Sequence, residues 1–374
     1  MKVAVVGAGI VGATIAFRLA ARGAEVTVFD KGRPGFGATG HSFAWINATA
    51  KTPRSYHELN RRSMGLWDRL VRDLATDVGL RWGGQLEWTA TKEAAATLEA
   101  GAAQLQEWGY PCRLLTEREL RLLEPGLTPR SVTAAVFHDL DGQVEPARAA
   151  EACLQRAERL GARLELGIPV IAIGASPVMV QTASASVEAD VIVLAAGTGT
   201  TALAATTGVN VPQEESPGVV VRTNALPPIF KAFNSATVVY APPLEPGRQQ
   251  IHIRQCADGT VMIGEGSQES VSLDDSQAHA DELLSRAREY VPALAAAKAV
   301  PEPVGYRPMP LDGYPVLGFC PDAPNLYIAL AHSGVTLAPI IAELATMEIM
   351  DGARVQMLDE YRTERFDRDT GVRP

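Results

Sequence analysis

The N-terminal pattern limits the possible folds more than any other feature of the sequence. A short apolar run at 2–6 is followed by three glycines, and then by helical spacing of apolar side chains at 13–22. A second apolar run at 25–29 ends at Asp30. The glycines have the spacing G-x-G-x-x-G and are Gly7, Gly9 and Gly12. Strand, glycine turn, helix and strand in this order predict the βαβ unit of a Rossmann-type dinucleotide-binding domain.

Each residue of the motif has a physical task in holding a dinucleotide. Gly7 permits the tight turn after the strand, Gly9 lets backbone N–H groups approach a pyrophosphate, and Gly12 lets helix and strand pack closely. The N-terminus of the helix adds partial positive charge for the phosphates. Asp30 provides the carboxylate that binds the ribose hydroxyls, which disfavours the 2′-phosphate of NADP.

The composition excludes several classes of partner. The chain has 374 residues, enough for two domains or one large one, and its net charge of −9 comes with no run of basic side chains. A nucleic-acid partner is therefore not expected. The four cysteines are scattered without a CxxC pair, which argues against a zinc site and a disulfide framework. The N-terminal apolar run is too short to span a bilayer. We therefore expect a cytoplasmic protein, and the scattered cysteines lead us to expect that it binds no metal.

Three later segments favour FAD over NAD as the dinucleotide. A Gly/Ser/Thr-rich loop at 35–47 directly follows the second strand and can pass close to a second phosphate and a flavin ring. The segment 325–352 has the pattern of strand, glycine turn and helix, and returns the chain to the first domain. An apolar strand at 191–194 ends in the small residues Ala195, Ala196 and Gly197. FAD is therefore the predicted cofactor.

These motifs resemble those of the D-amino acid oxidase/glycine oxidase family of FAD-dependent oxidoreductases, and the resemblance covers nearly the whole chain. Besides the N-terminal motif, it depends on VEPARAAEACLQRAERLGARL at 144–164, GTVMIGEG at 259–266, GYRPMPLDGYPVLG at 305–318 and HSGVTLAP at 332–339. Aromatic hydroxylases share the glycine fingerprint but would have a Gly-Asp pair where HSGVTLAP stands. A monooxygenase is therefore disfavoured.

The resemblance implies an α/β fold with two parts. One is a discontinuous Rossmann-type FAD-binding domain of the glutathione reductase type, and the other is a substrate domain with a mixed, mainly antiparallel β-sheet. The β-rich runs between 216 and 271 independently favour such a second sheet. The expected FAD-binding domain comprises 1–80, 141–215 and 301–374, and the expected substrate domain comprises 81–140 and 216–300.

The family's motifs also imply which residues bind the cofactor. The helix that begins near 333–336 would direct its N–H groups at the reduced flavin and stabilise its negative charge. His41 lies near the position where dimethylglycine and sarcosine dehydrogenases carry a histidine bonded covalently to FAD, but its neighbours differ from their TTWH pattern, and noncovalent FAD is expected. The expected cofactor-binding residues are Gly7, Gly9, Ile10, Val11, Gly12, Asp30, Lys31, Thr39, Gly40, His41, Ser42, Val170, Ala195, Ala196, Gly197, Arg307, Ser333, Gly334, Val335 and Thr336.

Arg307 is the expected anchor for a substrate carboxylate. It occupies the arginine position of the family's G-x-R-P motif, within a stretch stiffened by prolines. A guanidinium holds a carboxylate through two parallel hydrogen bonds, which fixes its rotation as well as its position. The alternative is a structural arginine that pairs with Asp312.

Two histidines and a tyrosine complete the expected catalytic group. In the alternating strand QQIHIRQ, His252 shares one face with Arg254, while Ile251 and Ile253 share the other. Glycine oxidases carry a substrate-contacting tyrosine at the position that matches His252, and His332 would lie beside the flavin. A histidine there that titrates near neutral pH could set the working pH, and the alternative is a structural histidine. Tyr240, and with it Trp45 and Tyr306, are expected pocket walls.

The predicted function is FAD-dependent oxidation of an amino acid or secondary amine by hydride transfer to flavin N5. Glycine, sarcosine, a D-amino acid and a cyclic imino acid are all open as substrates. A 2-hydroxy acid dehydrogenase on the same fold is an alternative, because a hydroxy acid also carries a carboxylate. A flavoprotein component of an electron-transfer complex is a second alternative, so a homo-oligomer or a partner subunit is considered.

Overall fold

The computed structural model describes residues 1–230, 236–245, 247–266 and 272–366 of the chain. The α-helices are α1 (Ile10–Ala21), α2 (Arg54–Leu74), α3 (Lys92–Glu107), α4 (Glu117–Leu123), α5 (Pro146–Arg159), α6 (Thr200–Ala205), α7 (Gln277–Tyr290) and α8 (Gly334–Asp351). The strands are β1 (Lys2–Val6), β2 (Glu25–Asp30), β3 (Trp45–Ile46), β4 (Arg81–Trp82), β5 (Gln85–Thr89), β6 (Cys112–Leu115), β7 (Ala134–His138), β8 (Gly142–Gln143), β9 (Arg163–Leu166), β10 (Val170–Ala175), β11 (Val178–Thr182), β12 (Ser186–Glu188), β13 (Val191–Leu194), β14 (Gln213–Gly218), β15 (Val221–Thr223), β16 (Val238–Ala241), β17 (Ile251–Gln255), β18 (Val261–Glu265), β19 (Ala299–Pro301), β20 (Gly305–Pro310), β21 (Val316–Cys320) and β22 (Ala323–Leu330). Within the described ranges, no helix is both long enough and apolar enough to cross a membrane.

The predicted N-terminal βαβ unit forms the centre of a six-stranded sheet with the order β21-β22-β13-β1-β2-β9. β1 pairs in parallel with β2 on one side and with β13 on the other, so that Val5 lies between Val28 and Val193. The central strands are buried on both faces, which explains why their sequences are continuous apolar runs. The edge strand β21 is antiparallel to β22.

Layers on both faces bury this sheet. Ile15 of α1 packs in one apolar cluster with Ala149 of α5 and Ala338 of α8. On the opposite face, Ile173 of the β10–β12 ribbon packs in a cluster with Ile192 of β13. The carboxyl ends of β1, β2, β13 and β22 remain together at one edge, where open parallel sheets bind their ligands.

The second large sheet has eight strands in the order β19-β15-β18-β17-β16-β5-β7-β6. Among the strands of this sheet that the structure describes, only β16 and β5 pair in parallel, so the predicted mixed, mainly antiparallel sheet is confirmed. Helix α7 covers one face, where Ile251 and Ile253 of β17 pack with Leu283 and Leu284. The other face of β16 and β17 is turned toward the first sheet and the cavity described below.

The domain boundaries expected from the sequence remain a prediction. The eight-stranded sheet takes its strands from 85–138 and 221–301. A separate ribbon joins β14 to β20, and β14 spans the expected boundary between 215 and 216. The expected domains also contain residues outside the described ranges, namely 231–235, 246, 267–271 and 367–374.

Candidate active site

A cavity of about 730 Å³ opens where the carboxyl ends of the parallel strands face the eight-stranded sheet. Val6 at the end of β1 and Asp30 at the end of β2 line it from the first sheet. Tyr240 of β16 and His252 of β17 line it from the second. Its volume lies in the range of small-molecule and cofactor sites, so we take it as the candidate active site.

Most of the expected cofactor residues lie around this cavity. Gly12 and Gly40 do not line it. The expected residues that do are Gly7, Gly9, Ile10, Val11, Asp30, Lys31, Thr39, His41, Ser42, Val170, Ala195, Ala196, Gly197, Arg307, Ser333, Gly334, Val335 and Thr336. Segments from the N-terminus, the middle and the C-terminal part of the described chain therefore converge on one site.

The glycine motif brings three backbone segments too close together for side chains. Gly7 has φ +113°, and a Cβ there would lie 2.2 Å from the carbonyl oxygen of Ala195. A Cβ at Gly12 would lie 2.0 Å from the carbonyl oxygen of Gly7. Gly12 thus acts by close packing of α1 against the turn, while Gly9 faces the cavity.

Two helix N-termini meet at the cavity. The twelve-residue helix α1 and the eighteen-residue helix α8 both begin without a side-chain hydrogen bond from their N-cap residues, Gly9 and Ser333. A Cβ on Gly334 would lie 3.2 Å from a methyl group of Val11, so the two ends adjoin. Both partial positive charges therefore act on the same space. This arrangement fits the phosphates and the electron-accepting ring of a flavin dinucleotide.

Asp30 directs its carboxylate into the same site. Its Oδ2 accepts a hydrogen bond from the backbone N–H of Ala8 at 2.7 Å, and its Oδ1 accepts one from Gly32 at 2.7 Å. These two bonds fix the carboxylate at the end of β2, beside Lys31. Each oxygen of a carboxylate can accept more than one hydrogen bond, so the group retains acceptor capacity for ribose hydroxyls.

Arg307 lies on β20 and lines the cavity. Its Nη2 donates to the carbonyl oxygen of Pro217 at 2.7 Å and to Oγ of Ser216 at 3.1 Å, which orients the guanidinium plane. Asp312, the alternative partner considered from the sequence, pairs with Arg365, whose Nε lies 2.6 Å from Oδ2. The β14–β20 ribbon thus positions Arg307 at the site, and Asp312 stabilises a different part of the fold.

Four side chains form a continuous aromatic wall along the cavity. The members of this aromatic wall are Phe43, Trp45, Tyr240 and His252. The ring centroids of Phe43 and His252 are 4.3 Å apart, and those of Tyr240 are 5.1 Å from both His252 and Trp45. The predicted strand face holds, because His252 faces the cavity while Ile251 and Ile253 pack under α7. Tyr306 also lines the cavity, at a more exposed position.

Burial favours the neutral form of two histidines that line the cavity, His252 and His332. Burial lowers the pKa of His252 to about 4, although its Nδ1–H donates to the carbonyl oxygen of Gly266 at 3.2 Å. Burial, together with the nearby charges of Lys51 and Arg307, lowers the pKa of His332 to about 3. The expectation of a histidine that titrates near neutral pH is therefore wrong, because removing these rings from water disfavours their charged form.

The sequence did not single out three residues of the site. Phe43 belongs to the aromatic wall, and its place with Trp45 in a Gly/Ser/Thr-rich loop was the one available signal. Lys51 is 6% exposed and lines the cavity beside His332. Asp141 is fully buried behind Trp45, whose indole N–H donates to it. Lys51 and Asp141 lie in short polar segments, and only the fold brings them to this place.

The fold and the cavity together define a dinucleotide-dependent enzyme with a separate sheet over its cofactor site. The model of a family described as FAD dependent oxidoreductase matches residues 2–347. The chain therefore belongs to this family of FAD-dependent oxidoreductases. This match confirms the family, the fold class, the FAD cofactor and the oxidoreductase class that the sequence predicted.

Individual relatives agree with this assignment. A glycine oxidase of Geobacillus kaustophilus is 28% identical over 351 residues, which cover 90% of each chain. One of the subunits of an opine oxidase of Agrobacterium tumefaciens is 27% identical over 375 residues, covering 97% of this chain and 96% of the relative. The crystal structure of glycine oxidase from Geobacillus kaustophilus superposes with a TM-score of 0.85 at 26% identity, covering 97% of this chain and 98% of the other.

Proposed function

We propose that the protein oxidises an amino acid or a secondary amine that carries a carboxylate, and that Arg307 binds this carboxylate. The observation that carries the proposal is the guanidinium of Arg307, which Pro217 and Ser216 orient at the wall of the cavity. The relatives named as a glycine oxidase and as a subunit of an opine oxidase support a substrate of this kind. A 2-hydroxy acid is the alternative with the same anchor.

The residues that line the cavity would hold FAD noncovalently. The N-terminus of α1 would bind the pyrophosphate, Asp30 would bind ribose hydroxyls, and the N-terminus of α8, which begins at Gly334, would stabilise negative charge on the reduced flavin. Gly12 and Gly40 would shape the backbone of the site, because neither lines the cavity. Bound FAD supplies a hydride acceptor at flavin N5.

The chain's own residues orient the substrate and set its charge. Arg307 fixes the carboxylate, so that the aromatic wall confines the remainder of the molecule and excludes water. Amines give up hydride in their neutral form. The positive charges of Lys51 and Arg307, which help to lower the pKa of His332, also disfavour a charged ammonium at the same end of the cavity. Neutral His252 and His332 serve as hydrogen-bonding partners, and Tyr240 as a wall.

The finer expectations from the sequence remain proposals. The opine oxidase relative, which is named as one of several subunits, supports a partner chain for this protein, with a homo-oligomer as the other form of assembly. The scattered cysteines support a cytoplasmic location. We also propose the division into an FAD-binding domain of 1–80, 141–215 and 301–374 and a substrate domain of 81–140 and 216–300. Size-exclusion chromatography with light scattering would establish the assembly.

Substitution of Arg307 tests the proposed anchor. Arg307→Lys keeps the charge but loses the two-pronged geometry, so KM should rise while FAD content stays normal. Arg307→Ala should lower kcat/KM, and the loss should correspond to about 3–5 kcal/mol of activation free energy, the usual cost of removing one partner of a buried charge pair.

A matched arginine provides the control for this experiment. Arg222→Ala removes an arginine that pairs with Glu302 at 3.2 Å in the eight-stranded sheet and does not line the cavity. It should leave kcat/KM unchanged. Equal kcat/KM in the wild type and in Arg307→Ala would contradict the proposal.

A further inference from the structure

The aromatic wall is fixed at its Trp45 end by a buried carboxylate that does not line the cavity. The indole Nε1–H of Trp45 donates to Oδ2 of Asp141 at 2.8 Å. Asp141 is 0% exposed. Strands β3 and β8 bring the two residues together, because Trp45 pairs with Gln143, two residues beyond Asp141.

Two further side chains donate hydrogen bonds to the Asp141 carboxylate. Tyr110 donates its hydroxyl to Oδ1, and Thr49 donates to Oδ2 at 3.4 Å. An ionised carboxylate accepts hydrogen bonds and donates none, so it can satisfy all three donors at once. Burial raises the pKa of Asp141 to about 7, while these three hydrogen bonds lower it. The backbone carbonyl of Asp141 also accepts from the N–H of Gly84 at 2.9 Å, which fixes the chain at this point.

From Trp45 the contacts continue toward the centre of the wall. The indole lies 5.1 Å from the ring of Tyr240, which lies 5.1 Å from the ring of His252. Beyond Tyr240, His252 is held by its bond to the carbonyl of Gly266, and Phe43 packs against it at the far end of the wall. Hydrogen bonds thus hold the wall at Trp45 and at His252.

We propose that Trp45 determines the size of the substrate that the cavity accepts, and that Asp141 is the positioning residue that holds the indole in place. The inference rests on the proposed function, because it requires that a carboxylate ligand anchored at Arg307 extends along the aromatic wall. Trp45 touches the ligand space, whereas Asp141 acts only through Trp45. Small carboxylates fit in front of a fixed indole, and bulky ones require it to move.

The test compares the binding of two carboxylates to the FAD-loaded protein. Acetate and benzoate are titrated, and their dissociation constants are taken from the change in the flavin absorption spectrum. Trp45→Ala frees the volume of an indole and should raise the affinity for benzoate relative to acetate by about tenfold. Asp141→Ala should also raise the affinity for benzoate relative to acetate, because it releases the indole. Asp141→Asn keeps an acceptor for the indole N–H and should therefore show the wild-type ratio of the two affinities.

Two further variants keep the test decisive if Asp141→Ala does not fold. Trp45→Phe removes the N–H donor but keeps an aromatic ring, so it should shift the ratio partway toward that of Trp45→Ala. Tyr110→Phe removes another donor to Asp141 that does not line the cavity, and should lower stability without moving the ratio. Asp139→Asn, at an exposed carboxylate paired with Arg113, should change neither quantity.

The outcomes separate this inference from the proposed function. If Trp45→Phe and Asp141→Ala both keep the wild-type ratio, Asp141 does not position the indole. If the shifts of Asp141→Ala and Trp45→Ala add in the double variant, Asp141 acts by a route other than Trp45, since residues that act through one contact are not additive. If Arg307→Ala leaves the affinity for acetate unchanged, the carboxylate anchor fails instead.

Discussion

Gly12→Ala should cause the protein to lose FAD, although the new side chain would not line the cofactor cavity. The new Cβ would lie 2.0 Å from the carbonyl oxygen of Gly7 and 3.3 Å from the Cβ of Ala195. Gly7 cannot retreat, because its own Cα hydrogen faces the Ala195 carbonyl, where a Cβ would approach to 2.2 Å. Overpacking costs about 1–3 kcal/mol, and a clash with backbone at this distance belongs at the upper end, about 3 kcal/mol. That cost weakens FAD binding about a hundredfold if it falls on the bound state.

The assay measures the FAD content and the affinity of the refilled protein. Purified Gly12→Ala is scored for its ratio of flavin to protein, stripped, and titrated with FAD by flavin fluorescence. The matched control is Gly65→Ala, an exposed position in α2 where an added Cβ meets nothing within 4 Å. This control should keep its FAD and gain about 1 kcal/mol of stability from the better helix former. Native FAD affinity in Gly12→Ala would refute the close-packing argument.

Three further variants test the buried groups of the site. Burial raises the pKa of Asp141 from 3.8 to about 7, so the folded protein favours the protonated side chain. The free energy of unfolding of the wild type, relative to that of Asp141→Asn, should therefore be highest below pH 4. It should fall by about 4 kcal/mol as the pH rises through 7. Urea unfolding at pH 4 and pH 8 measures this difference, and a constant difference would contradict the raised pKa. His252→Asn should leave the pH dependence of kcat/KM between pH 6 and 9 as it is in the wild type, because a histidine with a pKa of about 4 does not titrate there. A changed pH dependence would support the expectation that His252 sets the working pH. Gly264→Ala would place a Cβ 2.2 Å from Nε2 of His252 and should lower kcat/KM about tenfold or more with normal FAD content. Unchanged turnover would show that the position of His252 is unimportant.

The first sheet could be predicted because its signals are local. The strands at 2–6 and 191–194 are continuous apolar runs, and the glycine spacing reports the turn between β1 and α1. Each of these patterns depends on residues close together in the chain. The alternation in QQIHIRQ likewise gave the correct face of His252, because strand periodicity is a property of the strand itself.

The second half of the site depends on contacts between distant segments. The pKa of His252 follows from burial between β16, β17 and the 35–47 loop, which no local pattern reports. Asp141 reaches Trp45 only because β3 and β8 pair although they lie far apart in the chain. Lys51 comes beside His332 by the same kind of long-range packing. The ion pair between Asp312 and Arg365 could not be predicted from the sequence either, since the two residues lie far apart in the chain.

Anaerobic reduction of the bound flavin tests the central claim most directly. The FAD-loaded protein is mixed without oxygen with glycine, sarcosine, D-alanine and proline, each paired with the amine that lacks its carboxylate, and with glycolate and lactate. Loss of the flavin absorption band reports hydride transfer from each compound. A carboxylate anchor at Arg307 predicts that an amino acid bleaches the flavin and that its decarboxylated partner does not. Equal bleaching by the partner amine, or bleaching by the hydroxy acids alone, would contradict the account.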